Sequence, residues 1–385
     1  MNGVRHEVGD VAIVGAGVIG LSIAFELASD GATVRVYDSG EPARGASWAG
    51  AGMLAPFTEA IENFALQELC ETSLAAYPAF AQRVAAASGI DPHLRLNGIL
   101  CGAFDRASLD ALERRVERLR QAKHGVQLLD HRRTIECEPV LGKGVLGAAF
   151  MEEEGHVDNR RLGRALWAAC ESLGVSVHSG VGGLRVKHDG RKALGVANEA
   201  GFFAAGVVIN AAGAWSGRLE GLPAECIVPV FPIKGQMLAL AIPSALVRHA
   251  TWLPGAYLVP RDDGRLLVGA TVEDCGFDER VTAAGIRQLL DAVLTAAPAL
   301  ENFAVTETWA GLRPGTPDGK PFIGSTPLER YFVATGHFRN GILLAPATAA
   351  LIHGAIEGRS VEVLRHFSVA RHLPEDAKAE SKSAV

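Results

Sequence analysis

Three glycines and an aspartate supply the first recognisable chemistry. Gly15-Ala-Gly17-Val-Ile-Gly20 follows the β-rich run Val11-Ala-Ile-Val14, and Leu21 to Ser29 continues as a stretch of good helix formers. Asp30-Gly31 stops that helix, and Thr33-Val-Arg-Val-Tyr37 reads as a second strand that delivers Asp38 at its end. In such a unit Gly15 permits the tight turn, Gly17 lets a pyrophosphate approach the backbone, and Gly20 lets helix pack closely on strand. The helix N-terminus then faces the phosphates with its partial positive charge. Asp38 accepts hydrogen bonds from a ribose 2′-hydroxyl, which FAD and NAD carry and which the 2′-phosphate of NADP would block.

A second match to the same spacing, Gly142-Lys-Gly144-Val-Leu-Gly147, lacks its context. Glu136-Cys-Glu-Pro139 stands where a buried strand is needed and Met151-Glu-Glu-Glu154 follows, so the segment reads as a surface loop. With no second nucleotide unit to receive a nicotinamide, the electrons are expected to come from the substrate. Arg313, in a Gly- and Pro-rich run, is by residue type either a solvated charge or a carboxylate ligand with a planar, bidentate fork. His337 reads as a structural hydrogen-bonder in preference to a general base.

The elements that position these groups follow from periodicity. Helices are expected over residues 61–87, 107–124, 160–174 and 283–296, and strands over 175–178, 201–209, 236–241, 256–259, 265–270 and 331–335. The last strand leads through Gly336-His-Phe-Arg-Asn-Gly341 into an Ala-rich helix, which must begin between Ile342 and Ala345 because Pro346 is tolerated only in a first turn. Such a helix end suits the negative charge of a reduced flavin.

The chain has 385 residues, 48% hydrophobic and 21% charged, enough for two domains. A net charge of −6 leaves no basic stripe for nucleic acid. The six cysteines are dispersed without metal-ligand spacing, which fits a reduced cytoplasmic setting. No apolar run is long enough to span a membrane. Residues 371–385, rich in Ala, Lys and Glu, are expected to be a disordered tail.

Three stretches together resemble the D-amino-acid oxidase superfamily, and within it the glycine oxidases of thiamin biosynthesis. They are Gly45-Ala-Ser-Trp-Ala-Gly-Ala-Gly-Met53-Leu-Ala-Pro56, Thr308-Trp-Ala-Gly-Leu-Arg313-Pro-Gly-Thr-Pro-Asp-Gly-Lys-Pro-Phe-Ile-Gly324, and Gly336-His-Phe-Arg339-Asn-Gly341-Ile-Leu-Leu-Ala-Pro346. The likeness runs from about residue 9 to about 365, is loose between these motifs, and gives no guide to residues 103–147. It implies an α/β chain with a Rossmann-like FAD-binding domain (residues 1–85, 148–224 and 316–370) and a second α+β substrate domain built on a mixed sheet (86–147 and 225–315).

The resemblance also implies roles. Asp38 and Ser39 would meet the adenosine ribose and Val181 the adenine. Ala46, Ser47, Ala51, Gly52, Met53 and Gly213 would line the flavin, while His337, Phe338, Arg339, Asn340, Gly341, Ile342 and Leu343 would close over its pyrimidine end. Arg313 and Tyr257 would hold a substrate carboxylate, with Arg339 and Met53 beside them. No residue is needed as general base. FAD would be non-covalent, because Gly276 to Val385 contains no cysteine to match the one that tethers flavin in the related sarcosine oxidases. The implied activity is oxidative deamination of a small amino acid, glycine foremost, with dioxygen as acceptor and self-association as a tetramer. Sarcosine or a D-amino acid as substrate, a 2-hydroxy acid in its place, and a flavoprotein without turnover remain alternatives.

Overall fold

The computed structural model describes residues 10–59, 61–359 and 362–372. A six-stranded sheet carries the nucleotide-type turn. Its order is Phe322–Ser325, Tyr331–Thr335, Val207–Asn210, Val11–Val14, Val34–Tyr37 and Ser176–His178, all parallel neighbours except the first pair. Val11–Val14 lies inside it with every residue buried, as expected of a parallel strand covered on both faces. Helices Val18–Ser29, Phe64–Ser88, Asn159–Ser172 and Ala345–Ile356 share one apolar core with one face. The other face packs against an antiparallel three-stranded sheet formed by Gly201–Ala204, Ala193–Asn198 and Arg185–His188.

An eight-stranded sheet forms the second layer system, in the order Val305–Gly315, Phe231–Ala241, Arg265–Gly269, Ala256–Pro260, Ala250–Leu253, Ile99–Ala103, Gly147–Met151 and Val126–Asp130. It is mixed, because Ala250–Leu253 runs parallel to Ile99–Ala103 while its other pairs are antiparallel. Helix Ala283–Ala296 closes one side of it over a Leu- and Val-rich core. The fold is thus the expected α/β arrangement with a mixed second sheet.

Several expectations are refined. The run over 201–209 divides into two strands, with Ala205 and Gly206 between them. The first long helix starts at Phe64, since the Asn63 side chain accepts from Leu66 N–H, and it runs through Pro78 to Ser88. Gly147 opens strand Gly147–Met151 of the eight-stranded sheet, which runs four residues past the expected division between 147 and 148, and Gly142 to Leu146 is the loop before it. Of the expected tail, Arg371 and His372 lie in a 3-10 turn, with the Arg371 guanidinium 2.8 Å from Asp318. Residues 373–385 lie outside the described residues. Among the described residues no helix is long and apolar enough to cross a membrane.

Candidate active site

The glycine turn is built as its sequence requires. Gly15 has φ +109°, and a Cβ there would collide with the backbone of Ala211 and Ala212 on the neighbouring strand connection. A Cβ on Gly20 would strike the Gly15 carbonyl oxygen. Gly17 is the N-cap of helix Val18–Ser29 and brings no side chain to cap the first turn, which leaves amide donors for an anion. The Ser47 hydroxyl takes the Val18 N–H at 2.8 Å, so the loop after the second strand is tied to the helix start. Asp38 receives Ala16 N–H at 2.7 Å and Gly40 N–H at 2.8 Å, which fixes its carboxylate beside the turn. Val181 N–H donates to the Asp38 carbonyl at 2.8 Å, bringing residue 181 to the end of the second strand.

A cavity of about 440 Å³ opens between the two large sheets. Gly17, Ala46, Ser47, Ala51, Gly52 and Met53 line one side of it and Gly213 joins them. Tyr257 and Arg313 line the side formed by the eight-stranded sheet, and His337, Phe338, Arg339, Gly341 and Ile342 complete the wall. Gly15, Gly20, Asp38, Ser39, Val181, Asn340 and Leu343 are not among its lining residues. Leu343 points into the core, and its carbonyl accepts from the Ser73 hydroxyl at 2.6 Å. Asn340 shapes the loop, donating to the His337 carbonyl and accepting from Leu344 N–H.

Strand register explains how Arg313 and Tyr257 meet. Arg313 pairs with Ile233, and Tyr257, Gly269 and Met237 lie in one row across three strands. Because side chains alternate between faces, positions 233, 235 and 237 present the same face. Gly235 and Gly269 occupy that face where bulk would be expected, and each is bare for a reason. A Cβ on Gly235 would meet the Arg313 guanidinium, and one on Gly269 would lie 2.6 Å from the Tyr257 ring. The two glycines let the cation and the phenol lie flat over the sheet, where Tyr257 Oη reaches Met237 Sδ at 3.8 Å.

Arg313 Nη1 donates to the carbonyls of Lys234 and Thr271, at 3.3 and 3.1 Å. Burial pulls its guanidinium below the ordinary arginine value, with Arg339 acting in the same direction and Tyr257 and Glu59 against it. Burial pushes the Tyr257 hydroxyl up, and the Arg313 charge opposes that. Arg339 is exposed at the cavity wall, its guanidinium 5.2 Å from the Phe338 ring. His337 is buried and neutral: burial drives it down to about 3, and Nε2 lies 3.0 Å from the Thr348 hydroxyl. That is the environment of a structural hydrogen-bonder.

Sequence reading missed four residues that shape this site. Arg261 is buried and donates to the Ala51 carbonyl at 2.7 Å and to Asn159 Oδ1 at 3.0 Å, while its other nitrogen lies 3.1 Å from His156 Nδ1. Asn159 passes the link on, donating to the carbonyls of Ser47 and Trp48. Trp309 Nε1 donates to the Ala49 carbonyl at 2.9 Å, pinning the same loop to the strand of Arg313. Glu59 lines the cavity beside the two arginines. For Arg261 and Asn159 the signal available was a charged or amide residue at the end of an apolar strand or the start of a helix, which sequence alone cannot pair with its distant carbonyl; Trp309 and Glu59 gave no local signal.

Comparison with known proteins agrees with this geometry. A family model described as DAO, FAD dependent oxidoreductase, matches residues 10–353. The chain is 36% identical to the glycine oxidase of Geobacillus kaustophilus, over 94% of this chain and 97% of that one. It is 37% identical to the bifunctional protein ThiO/ThiG of Trichormus variabilis over 94% of this chain, and spans only 55% of that longer protein. The crystal structure of the Geobacillus kaustophilus glycine oxidase superposes with a TM-score of 0.90 at 35% identity, covering 95% of this chain and 99% of that one. The family match covers most of the chain, and Gly17 of the glycine turn, the segment from Ala46 to Met53 and the arginine-bearing strand converge on one cavity: this protein belongs to the DAO family of FAD-dependent oxidoreductases.

Proposed function

We propose that the chain catalyses oxidative deamination of glycine, giving glyoxylate, ammonia and hydrogen peroxide. The observation that carries this reading is the meeting of Arg313 and Tyr257 on a sheet face that looks across one cavity to the segment from Ala46 to Met53. The relatives that cover nearly the full chain, and are called glycine oxidases, support the choice of substrate.

FAD, when bound, accepts the hydride and passes the electrons to dioxygen. The residues present fit it. The Gly15-Gly17-Gly20 turn and the start of helix Val18–Ser29 would hold the pyrophosphate, Asp38 and Ser39 the ribose, and Val181 the adenine. Ala46, Ser47, Ala51, Gly52, Met53 and Gly213 would lie against the flavin ring. Residues His337 to Leu343 would enclose its pyrimidine end, with helix Ala345–Ile356 directed from behind.

Arg313 would bind the substrate carboxylate through two parallel N–H donors, and Tyr257 would add a third. Arg339 and Met53 would border the same space. Holding the carboxylate fixes which way the Cα hydrogen points, and this orientation, with the positive cavity wall, would supply most of the rate. His337 would take no proton, since its imidazole is occupied by Thr348 and buried. Water then hydrolyses the released imine to the 2-oxo acid.

As part of the same reading, residues 1–85, 148–224 and 316–370 form the FAD-binding domain and 86–147 with 225–315 the substrate domain. The enzyme would work in the cytoplasm, self-associate, and use dioxygen as acceptor. The test is anaerobic bleaching of the bound flavin by glycine, sarcosine, D-alanine, D-proline and lactate, followed by air. Bleaching by glycine and recovery with peroxide is the expected result. Faster bleaching by sarcosine or a D-amino acid reassigns the substrate, and bleaching by lactate alone overturns amine oxidation.

A further inference from the structure

Among the described residues that line the cavity, Glu59 is the sole carboxylate, and it shares that lining with Arg313, Arg339 and Tyr257. Its placement is built rather than incidental. The preceding turn is gripped by Glu154, a fully buried carboxylate that accepts from the backbone N–H of Phe57 and, at 2.9 Å, that of Thr58. The Thr58 hydroxyl donates to the other oxygen of Glu154 at 2.5 Å, and Arg115 reaches the Thr58 carbonyl at 2.9 Å. Glu59 N–H closes the turn on the Ala55 carbonyl at 3.1 Å. A surface acid would need no such anchor.

Burial raises the Glu59 carboxyl, and the charges of Arg339 and Arg313 draw it back. An acid in that position opposes the task of a site that only had to bind carboxylates, because it repels the anion the arginines attract. It suits a zwitterion. An α-amino acid carries its ammonium one carbon from its carboxylate, so a pair of guanidiniums and a single carboxylate around one cavity match both ends. A 2-hydroxy acid or a plain carboxylate offers nothing to the acid and suffers its repulsion, and specificity is gained by such a penalty as well as by attraction.

We propose that Glu59 binds the substrate's ammonium group and is the residue that makes this site select amino acids over carboxylates lacking nitrogen. The inference rests on the deamination reading above and adds to it the residue that recognises the amine.

The test uses the holoenzyme with Glu59→Gln and Glu59→Asp. Anaerobic flavin bleaching gives the apparent affinity for glycine, and perturbation of the oxidised flavin spectrum gives the affinity for acetate and glycolate. Glu59→Gln is expected to weaken glycine by about tenfold or more, the range of one charge-assisted contact, while acetate and glycolate bind as well or more tightly. Glu59→Asp should keep part of the discrimination. Parallel losses for glycine and acetate, or unchanged glycine affinity, overturn the proposal. Wild-type flavin that binds acetate but is left oxidised by glycine overturns the deamination reading itself, and this assignment with it.

Discussion

Arg261 Nη2 lies 2.7 Å from the carbonyl oxygen of Ala51, across 210 residues of chain. Arg261 directly follows strand Ala256–Pro260, which carries Tyr257, and Ala51 lines the cavity on its opposite wall. One buried cation thereby sets the distance between the wall that would hold the substrate and the wall that would hold the cofactor. Its charge is balanced by Asp158, 4.0 Å away, which also caps helix Asn159–Ser172 through the N–H groups of Arg160 and Arg161. Burial lowers the Arg261 guanidinium to about 10, still far above neutral pH.

Replacing Arg261 by Met should therefore cost more than a surface charge would. Removing one partner of a buried charged network leaves the others unpaired, an effect of roughly 3 kcal/mol. The expected outcome is a lower melting temperature together with weaker FAD retention, read by fluorescence titration of the apoprotein. Arg261→Lys keeps the charge but cannot span Ala51, Asn159 and His156 at once, so it should recover melting temperature more than FAD affinity. Equal recovery of both would show that the link to Ala51 has no part in shaping the flavin wall.

Arg313→Lys is expected to raise KM for every carboxylate substrate by about a hundredfold, the loss of a fork of charge-assisted hydrogen bonds. Lysine retains the positive charge over Gly235 but places a single point donor where two parallel N–H groups stood. Steady-state kinetics on glycine and D-alanine would check it. A near-normal KM would place the substrate carboxylate elsewhere in the cavity.

Gly20→Ala should give a colourless protein. The added Cβ meets the Gly15 carbonyl, which is backbone and cannot yield without opening the turn, so helix Val18–Ser29 must move away from the strand. The measurement is the flavin-to-protein absorbance ratio after purification. A normal yellow holoenzyme would mean that the turn is less tightly specified than its geometry indicates.

How much of this was legible in the sequence depends on how far apart the partners lie. The turn from Gly15 to Gly20 could be read because its steric demands are local, and helix Ala283–Ala296 because its apolar face repeats over several turns. Arg313 and Tyr257 gained their meaning from resemblance, since nothing near either residue states that four adjacent strands bring them together. The bare positions Gly235 and Gly269 look in sequence like breaks in good strands, and only the register shows that they make room for a cation and a ring. Arg261 and Asn159 were invisible for the same reason: each donates to main-chain carbonyls of a distant segment that any residue could provide. Glu59 was invisible because the turn that brings it to the cavity is held by the distant Glu154.

His337 is neutral in the fold, its value driven to about 3 by burial, whereas an unfolded histidine titrates near 6.5. Between those values the unfolded chain binds a proton that the folded chain does not, so stability rises with pH through this window and is lost as pH falls below about 6.5. Glu154, raised to about 8 by burial, acts oppositely between its unfolded value and about 8, so the whole-protein profile is a sum and a single-site comparison is needed. His337→Gln preserves a polar contact to Thr348 and removes the titration. Between pH 7 and pH 5 wild type should lose about 2 kcal/mol more unfolding free energy than the variant, measured by chemical denaturation of the holoenzyme. Turnover of the variant should keep the acid limb of the wild-type pH profile, and disappearance of that limb would restore His337 as a base.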